Sequence, residues 1–263
     1  MTTPDPSWLV PDWPAPGRVR ALSTTRLGGV SAGPYGLADG SPGGLNLGVH
    51  VGDAPASVAE NRRRLAGSLP AMPLWLEQVH GCAVATADHL AEVTPPRADA
   101  SVASAAGHVC AVMTADCLPV LLCDRAGTVV GAAHAGWRGL CDGVIEATLG
   151  RMQSIAGEGA PWLAWLGPAI GPSAFEVGPE VREAFLARAT GAERAATVNA
   201  FREGMPGKYL ADLYALARLR LARAGCTDVY GGDTCTVTDV DRFYSYRRDG
   251  VTGRMASLVW LAD

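Results

Sequence analysis

The sequence predicts a mixed α/β domain, and two features of it carry that prediction. Apolar runs of Val, Leu and Ala recur along the chain, as in "HVCAVMTA" (108–115), "LPVLLCD" (118–124) and "TVVGAAHA" (128–135). Runs with so little polar alternation belong to strands covered on both faces. Other segments, such as "GLCDGVIEATLGRMQSIA" (139–156), place apolar residues at 140, 144, 145, 149, 152 and 155, the stripe of an amphipathic helix. With 263 residues, 48% hydrophobic and 18% charged, the chain can bury a full core and is not disordered. No internal repeat or low-complexity linker divides it. The expectation is one domain over 17–263, preceded by a Pro-rich arm over 1–16.

In order, "RVRALSTTR" (18–26) alternates well enough for a strand. The stretch after it, through Asp53, is crowded with Gly, Pro, Asn and Asp. A loop of that length in a compact domain implies a function. "PASVAENRRRLAGSL" (55–69) reads as a helix, with Pro near its start and Gly67 near its end. "PLWLEQVH" (73–80) and "CAVATA" (82–87) read as strands, ahead of the three apolar runs above. "WLAWLGPAI" (162–170) reads as a strand and "PEVREAFLARA" (179–189) as a helix opened by Pro179. "YLADLYALARLRLARAG" (209–225) is a helix ended by Gly225. The chain closes with "RFYSYRR", read as extended, a "DG" turn and the strand "RMASLVWLA".

Composition excludes several classes. The net charge is −4, without the basic excess of a nucleic-acid binder. The N-terminus lacks the basic and apolar regions of a secretory signal, and no stretch approaches the roughly 20 apolar residues of a membrane span. Seven cysteines in no framework spacing, with no CxxC pair, point to a reducing cytoplasm. Of these, Cys82, Cys110, Cys123, Cys141 and Cys226 sit in apolar or Ala/Gly-rich contexts and read as small core residues. Lys208 is the one lysine among 22 basic residues, so an arginine here is not in itself evidence of bidentate binding. Composition leaves the oligomeric state open between a monomer and a weak dimer.

Three side chains stand out. His80 ends "EQVH", Cys117 lies in "ADCLP" and His134 lies in "AAHAGWRG". Each falls at the end of an expected strand, where α/β sheets gather their sites. Two histidines and a thiolate are a known zinc set, with the fourth position left open as in catalytic centres. Cys117 and His134 alone would instead serve as nucleophile and base, and packed core residues are the third reading. His50, His89 and His108 read as surface or structural. Arg26 closes the first strand, Asn46 sits in "GGLNLG", and Arg138 precedes a helix, where an anion is readily held. Arg62, Arg63 and Arg64 are consecutive on a helix, so at most one or two face a pocket. Arg247 and Arg248 are expected to alternate on a strand. Glu176 reads as a substrate contact or a helix-start carboxylate. Glu77 and Asp116, close to His80 and Cys117, are candidate proton carriers.

The motifs "TTRLGGVSAGPYGLADGSPGGLNLGVHVGD", "EQVHG", "TADCLPVLL", "AAHAGWRG", "GPAIGPSAFEVGPEV", "GGDTC" and "FYSYRRDGVTGRMASLVWL" resemble, in this order, those of the YfiH or laccase-domain family. That family has been called polyphenol oxidase and later purine nucleoside phosphorylase. The resemblance runs from about Thr24 to Leu261. It implies a single-domain α/β/β/α sandwich with mixed sheets and a metal triad of His80, Cys117 and His134. It implies a zinc-dependent purine nucleoside phosphorylase, taking phosphate with adenosine, inosine, guanosine or methylthioadenosine, and an adenosine deaminase. Arg26, Asn46, Arg62, Glu176 and Arg248 are the corresponding candidate substrate contacts. "ADGSPGG" is longer than the usual approach to "LNLG". Three rivals remain. A copper polyphenol oxidase has too few histidines for a multicopper set, although Cu2+ would bind such a site in vitro. A metal-free Cys-His amidase or deamidase leaves His80 unused. The third rival is a peptidoglycan-precursor editing enzyme.

Overall fold

The computed structural model describes residues 5–88 and 94–263. His89, expected to be surface or structural, lies outside the described residues. The elements run β1 (Val19–Ser23), β2 (Leu27–Ser31), α1 (Pro55–Ala66), β3 (Val84–Thr86), β4 (Ala100–Ala103), β5 (Val109–Thr114), β6 (Leu118–Asp124) and β7 (Val130–Ala135). There follow α2 (Trp137–Asp142), α3 (Val144–Ala156), β8 (Trp162–Leu166), β9 (Glu176–Val177), α4 (Pro179–Arg188), α5 (Arg194–Asn199), β10 (Phe201–Glu203) and β11 (Tyr209–Ala211). The chain ends with α6 (Leu213–Arg223), β12 (Asp228–Gly231), α7 (Tyr246–Asp249) and β13 (Met255–Leu261).

Two sheets face each other. The larger has the order β12-β8-β6-β7-β4-β3 and is mixed, with parallel pairing only at its two outer steps. The smaller, β1-β13-β5, is antiparallel. The strict period of two in a strand sends alternate residues to opposite faces. Cys110 and Val112 of β5 therefore meet Leu121, Cys123, Val130 and Ala132 of the large sheet in one core. Val109, Ala111 and Met113 face the other way, onto Leu65 of α1 and Leu45 and Leu47 of the glycine-rich loop. Leu118, Val120 and Leu122 face α2, α3 and α6, where Leu140, Ile145, Leu149 and Leu221 complete the largest core. The layers are thus helix, sheet, sheet, helix, and both sheets are covered on both faces, as the unbroken apolar strands require. A small third sheet, β10-β11-β9, contributes Val177, Phe201 and Ala211 to that largest core. Trp8 of the N-terminal segment is buried against the α1 layer, and Leu9 bridges to Ser23.

Four local expectations are corrected. Residues 73–80 form no strand; Leu74 and Glu77 make single bridges, and the Gln78 side-chain amide bonds in both directions to the Met113 backbone at 2.8 Å in place of a ladder. The helix expected from 139 is two helices, broken at Gly143, whose φ of 107° is a left-handed conformation suited to glycine. The helix expected from 209 begins at Leu213, because Asp212 accepts the Ala215 N–H as its N-cap and frees 209–211 to pair as β11. Tyr246–Asp249 is a helical turn, not a strand, because the Ser245 hydroxyl accepts the Arg248 N–H. Arg247 and Arg248 therefore do not alternate across a sheet.

Candidate metal centre

One end of the large sheet assembles the three candidate ligands. β6 pairs with β7 so that Leu118 faces Ala135 and Pro119 faces His134. Cys117, one residue before β6, is thereby brought opposite Gly136. β4 pairs with the other side of β7, Ala100 against Ala133, which sets Asp99 beside His134. His80 arrives from the loop ahead of β3, with φ at 61°, and Asp116 precedes Cys117 with φ at 91°. These are the only non-glycine residues with positive φ among those described, and both flank the site. Backbone held in such sparsely populated regions requires compensating bonds. For His80 they come from Asp99, whose carboxylate accepts the N–H groups of Val79 (3.1 Å), His80 (2.8 Å) and Gly81 (2.7 Å). For Asp116 they are its own carboxylate bonds to Thr236 Oγ1 and the Arg247 N–H, both 2.6 Å.

His80, Cys117 and His134 present one ligand atom each, all within 4.8 Å of one another. Cys117 Sγ lies 3.8 Å from His80 Nε2. The two imidazoles meet edge to face at 4.8 Å between centroids. Zinc–ligand bonds of about 2.3 Å to sulfur and 2.0–2.1 Å to nitrogen at tetrahedral angles would separate S and N donors by about 3.5 Å. The spacing therefore fits a shared ion after a small inward adjustment. His134 Nδ1 is 2.9 Å from Asp99 Oδ1. That bond directs the Nδ1 proton to the carboxylate and leaves Nε2 as the donor, the usual support for a metal-bound histidine. Gly136 allows the close packing: a Cβ there would lie 2.9 Å from His80 Cδ2 and 3.0 Å from Cys117 Sγ.

The electrostatics of the protein without metal follow from this geometry. Burial opposes ionisation of the Cys117 thiol, but His134 and His80 outweigh it and bring it down to about 6. Burial also disfavours charge on His134, yet the Cys117 sulfur and the Asp99 carboxylate lift it to about 9. Burial pushes Asp99 up, and its bonds from His134 and the Gly81 and Val79 amides hold it below the ordinary carboxylate range. A thiolate is the form that binds metal or attacks an electrophile.

The triad opens into a cavity of about 620 Å³ lined by, among others, His50, Arg62, Trp75, Glu77, Gln78 and Arg254. A second cavity, of about 180 Å³, lies beside it, walled by Trp137, Phe175 and Arg247. Cys117 and Tyr246 border both.

Of the five candidate substrate contacts, Arg62 lines the main cavity. Its guanidinium stacks 4.1 Å from the Trp75 ring centroid, and burial brings it down to about 10. The others are placed elsewhere. Arg26 is buried and spends its N–H groups on the carbonyls of Gly36, Leu37 and Val240. Asn46 is buried and bonds to Asp53, Gly48 and the Arg254 N–H. Arg248 donates to the carbonyls of Thr236, Val237 and Phe243 and pairs with Asp249. Glu176 pairs with Lys208 at 3.3 Å. Arg138 is exposed and lies over Trp137. Glu77 lines the cavity and pairs with Arg97, whereas the Asp116 carboxylate is taken up by Thr236 and Arg247. His108 bonds to the Ala87 carbonyl, and His50 is exposed as expected and also stands at the cavity wall. Asp99 and Arg254 were not legible as site residues. For Arg254 the signal is a lone charge immediately before the mostly apolar, uncharged strand β13.

The family described as multi-copper polyphenol oxidoreductase laccase matches residues 20–262. A purine nucleoside phosphorylase of Pseudomonas aeruginosa is 55% identical over 257 residues, covering 98% of this chain and 99% of that protein. The purine nucleoside phosphorylase YfiH of Escherichia coli is likewise 55% identical over 257 residues, covering 96% and 98%. Among solved structures, Neisseria meningitidis protein NMB0706 superposes with a TM-score of 0.84 at 50% identity, over 98% of this chain and all of that one. YlmD from Geobacillus stearothermophilus gives 0.81 at 31% identity, over 94% and 93%. With the His-Cys-His cluster standing at the end of the same fold, the chain belongs to the laccase-domain family that includes YfiH.

Proposed function

We propose that the protein is a zinc-dependent purine nucleoside phosphorylase acting on adenosine, inosine, guanosine and methylthioadenosine, with adenosine deaminase activity at the same site. The observation that carries this is the His80–Cys117–His134 cluster opening into a cavity large enough for a nucleoside. Relatives that match it end to end bear the phosphorylase name. His80, Cys117 and His134 would hold the ion, which when bound supplies Lewis acidity at neutral pH. Asp99 fixes the ring and tautomer of His134. Arg62, held over the Trp75 ring, offers preorganised positive charge to an anionic group, the kind of electrostatic help that counts most in a site shielded from water. Glu77, paired with Arg97 at 3.4 Å, is the carboxylate that lines the cavity and carries the proton-transfer role. Seven unpaired cysteines and the absence, among the described residues, of any helix able to cross a membrane fit a cytoplasmic enzyme.

A metal-free Cys-His amidase is the second reading. The depressed Cys117, the raised His134 and the Asp99 behind it form a nucleophile, base and orienting group. Metal analysis of protein purified without added metal, with chromatography of adenosine incubated with enzyme, separates the two. The phosphorylase predicts zinc bound in equal proportion to the chain. Adenine, hypoxanthine and ribose 1-phosphate appear only with phosphate present, inosine appears without it, and chelation abolishes all products. Full activity after chelation, lost on thiol alkylation, overturns it in favour of the amidase. Oxygen uptake by a blue, copper-loaded protein would favour the oxidase.

A further inference from the structure

The main cavity holds two guanidiniums that no carboxylate pairs with directly, although the Cys117 sulfur and Asp116 favour the charge on Arg254 from further away. Arg62 and Arg254 both line it, half-buried. Among the described residues no carboxylate lies within ion-pair range of either, although Arg220, Arg223 and Arg248 pair with Glu146, Glu193 and Asp249. Buried Arg26 also lacks an acid, but the carbonyls around it occupy its donors. Arg62 spends Nε on the Leu47 carbonyl (2.9 Å) and directs Nη2 to the Met113 sulfur (3.9 Å), leaving Nη1 unengaged. Arg254 spends Nη1 on the carbonyls of Thr252 (3.1 Å) and Gly253 (3.0 Å), leaving Nε and Nη2. Partly desolvated guanidiniums with spare donors and no carboxylate partner are costly, and a planar donor fork matches a tetrahedral oxyanion.

The scaffold around them is specific. Leu47 binds both arginines: its carbonyl takes Arg62 Nε, and its N–H donates to the Arg254 carbonyl at 3.0 Å. Asn46 Oδ1 accepts the Arg254 N–H at 2.9 Å. A Cβ on Gly48 would strike Arg254 Cγ at 2.8 Å, so the glycine makes room for the Arg254 stem. His50, two residues on, lines the same cavity, and the charges of both arginines act on it. The "LNLGVH" stretch of the glycine-rich loop thus builds one cationic cradle in the chamber that the triad faces.

We propose that Arg62 and Arg254, with His50 at the rim, form the subsite for inorganic phosphate. The proposal deepens the phosphorylase reading and rests on it for the identity of the anion. Titration of the metal-loaded enzyme with inorganic phosphate, followed by calorimetry, tests it, with Arg254→Met, Arg62→Met and His50→Gln alongside. The expected result is saturable phosphate binding by the parent, weakened at least tenfold in Arg254→Met and Arg62→Met and by less in His50→Gln, with metal content per chain unchanged. Arg254→Lys, which keeps the charge and loses the fork, should fall between and covers the case in which Arg62→Met, stripped of its Trp75 stack, fails to fold. Phosphate binding equal to the parent in the Arg254 variants, or none by the parent, overturns the proposal. Adenosine 5′-monophosphate serves as a second probe, and binding of it tenfold tighter than inorganic phosphate overturns the assignment to the free ion. Phosphate bound through Arg254 without any phosphate-dependent base release defeats the phosphorylase reading and leaves the anion site standing. Base release with undiminished phosphate affinity in the variants does the reverse.

Discussion

Asp99 concentrates more of the site than any candidate ligand does. Its carboxylate is fully buried and receives three backbone amides besides the His134 ring. Asp99→Asn replaces one acceptor oxygen by a donor that faces other donors. The expected outcome is a loss of at least about 1.5 kcal/mol of stability and a fall in metal affinity of about 10- to 100-fold, read by thermal denaturation and competitive metal titration. Gly136→Ala tests packing at the same place. Its methyl group would displace His80 and the Cys117 sulfur, so metal affinity should drop by about tenfold or more, and unchanged affinity would refute the close fit. The metal-stripped protein offers a pH test. Raised His134 contributes stability fully below about 6.5 and loses it as pH rises through about 9. Depressed Cys117 contributes fully above about 8.5 and loses it as pH falls through about 6. The two slopes oppose, because the pair carries one proton across that window whether folded or unfolded. Stability from this pair should therefore be level between about pH 6.5 and 8.5, while ultraviolet absorbance reports a thiolate appearing near pH 6. A thiol titrating at its ordinary value would refute the pairing. At this scale the three candidate residues stood out because Cys and His are chemically distinctive at strand ends, and their reading as one metal set came from the family resemblance. Asp99 was not, because its partner in the chain lies 35 positions away and only strand pairing brings them together.

Elements were legible where a single period or a capping residue dominated. The strands within 108–135 needed only their apolar continuity, and α1 and α4 were marked by proline at the start. Three of the four corrections share a cause, a side-chain bond to backbone that outweighed the hydrophobic pattern, and the fourth is the left-handed turn at Gly143. Gln78 tied its segment to β5 without a ladder, Ser245 turned an extended-looking run into α7, and Asp212 set the true start of α6. Asp212→Ala is expected to cost about 1 kcal/mol, seen as a melting temperature lower by roughly 2–4 °C. No change would mean that α6 is set by its packing on α3 and not by its cap. The short strands β9 to β11 carried too few residues for a period to register, and the β9–β11 pairing joins segments more distant in the chain.

The whole molecule is a stack in which the large sheet serves two cores at once, and its open end is the site. That layering was anticipated through the family resemblance; apolar continuity alone indicated covered sheets but not their number. The candidate ligands come from three separate segments of the chain, so an ion shared between them would tie those segments together. An ion that binds only the folded chain at a thousandfold excess over its Kd adds about 4 kcal/mol. Chelation is accordingly expected to lower the melting temperature by roughly 10 °C by scanning calorimetry, with recovery on adding zinc back. An unchanged melting temperature in protein shown to have lost its metal would refute a linking role. The wall between the two cavities has one further consequence. Its reactive atom is the Cys117 sulfur, shared by a roomy chamber and a narrow one. An alkylating reagent of graded length would act as a ruler here: short adducts fit on either side, while bulky ones are forced into the larger compartment.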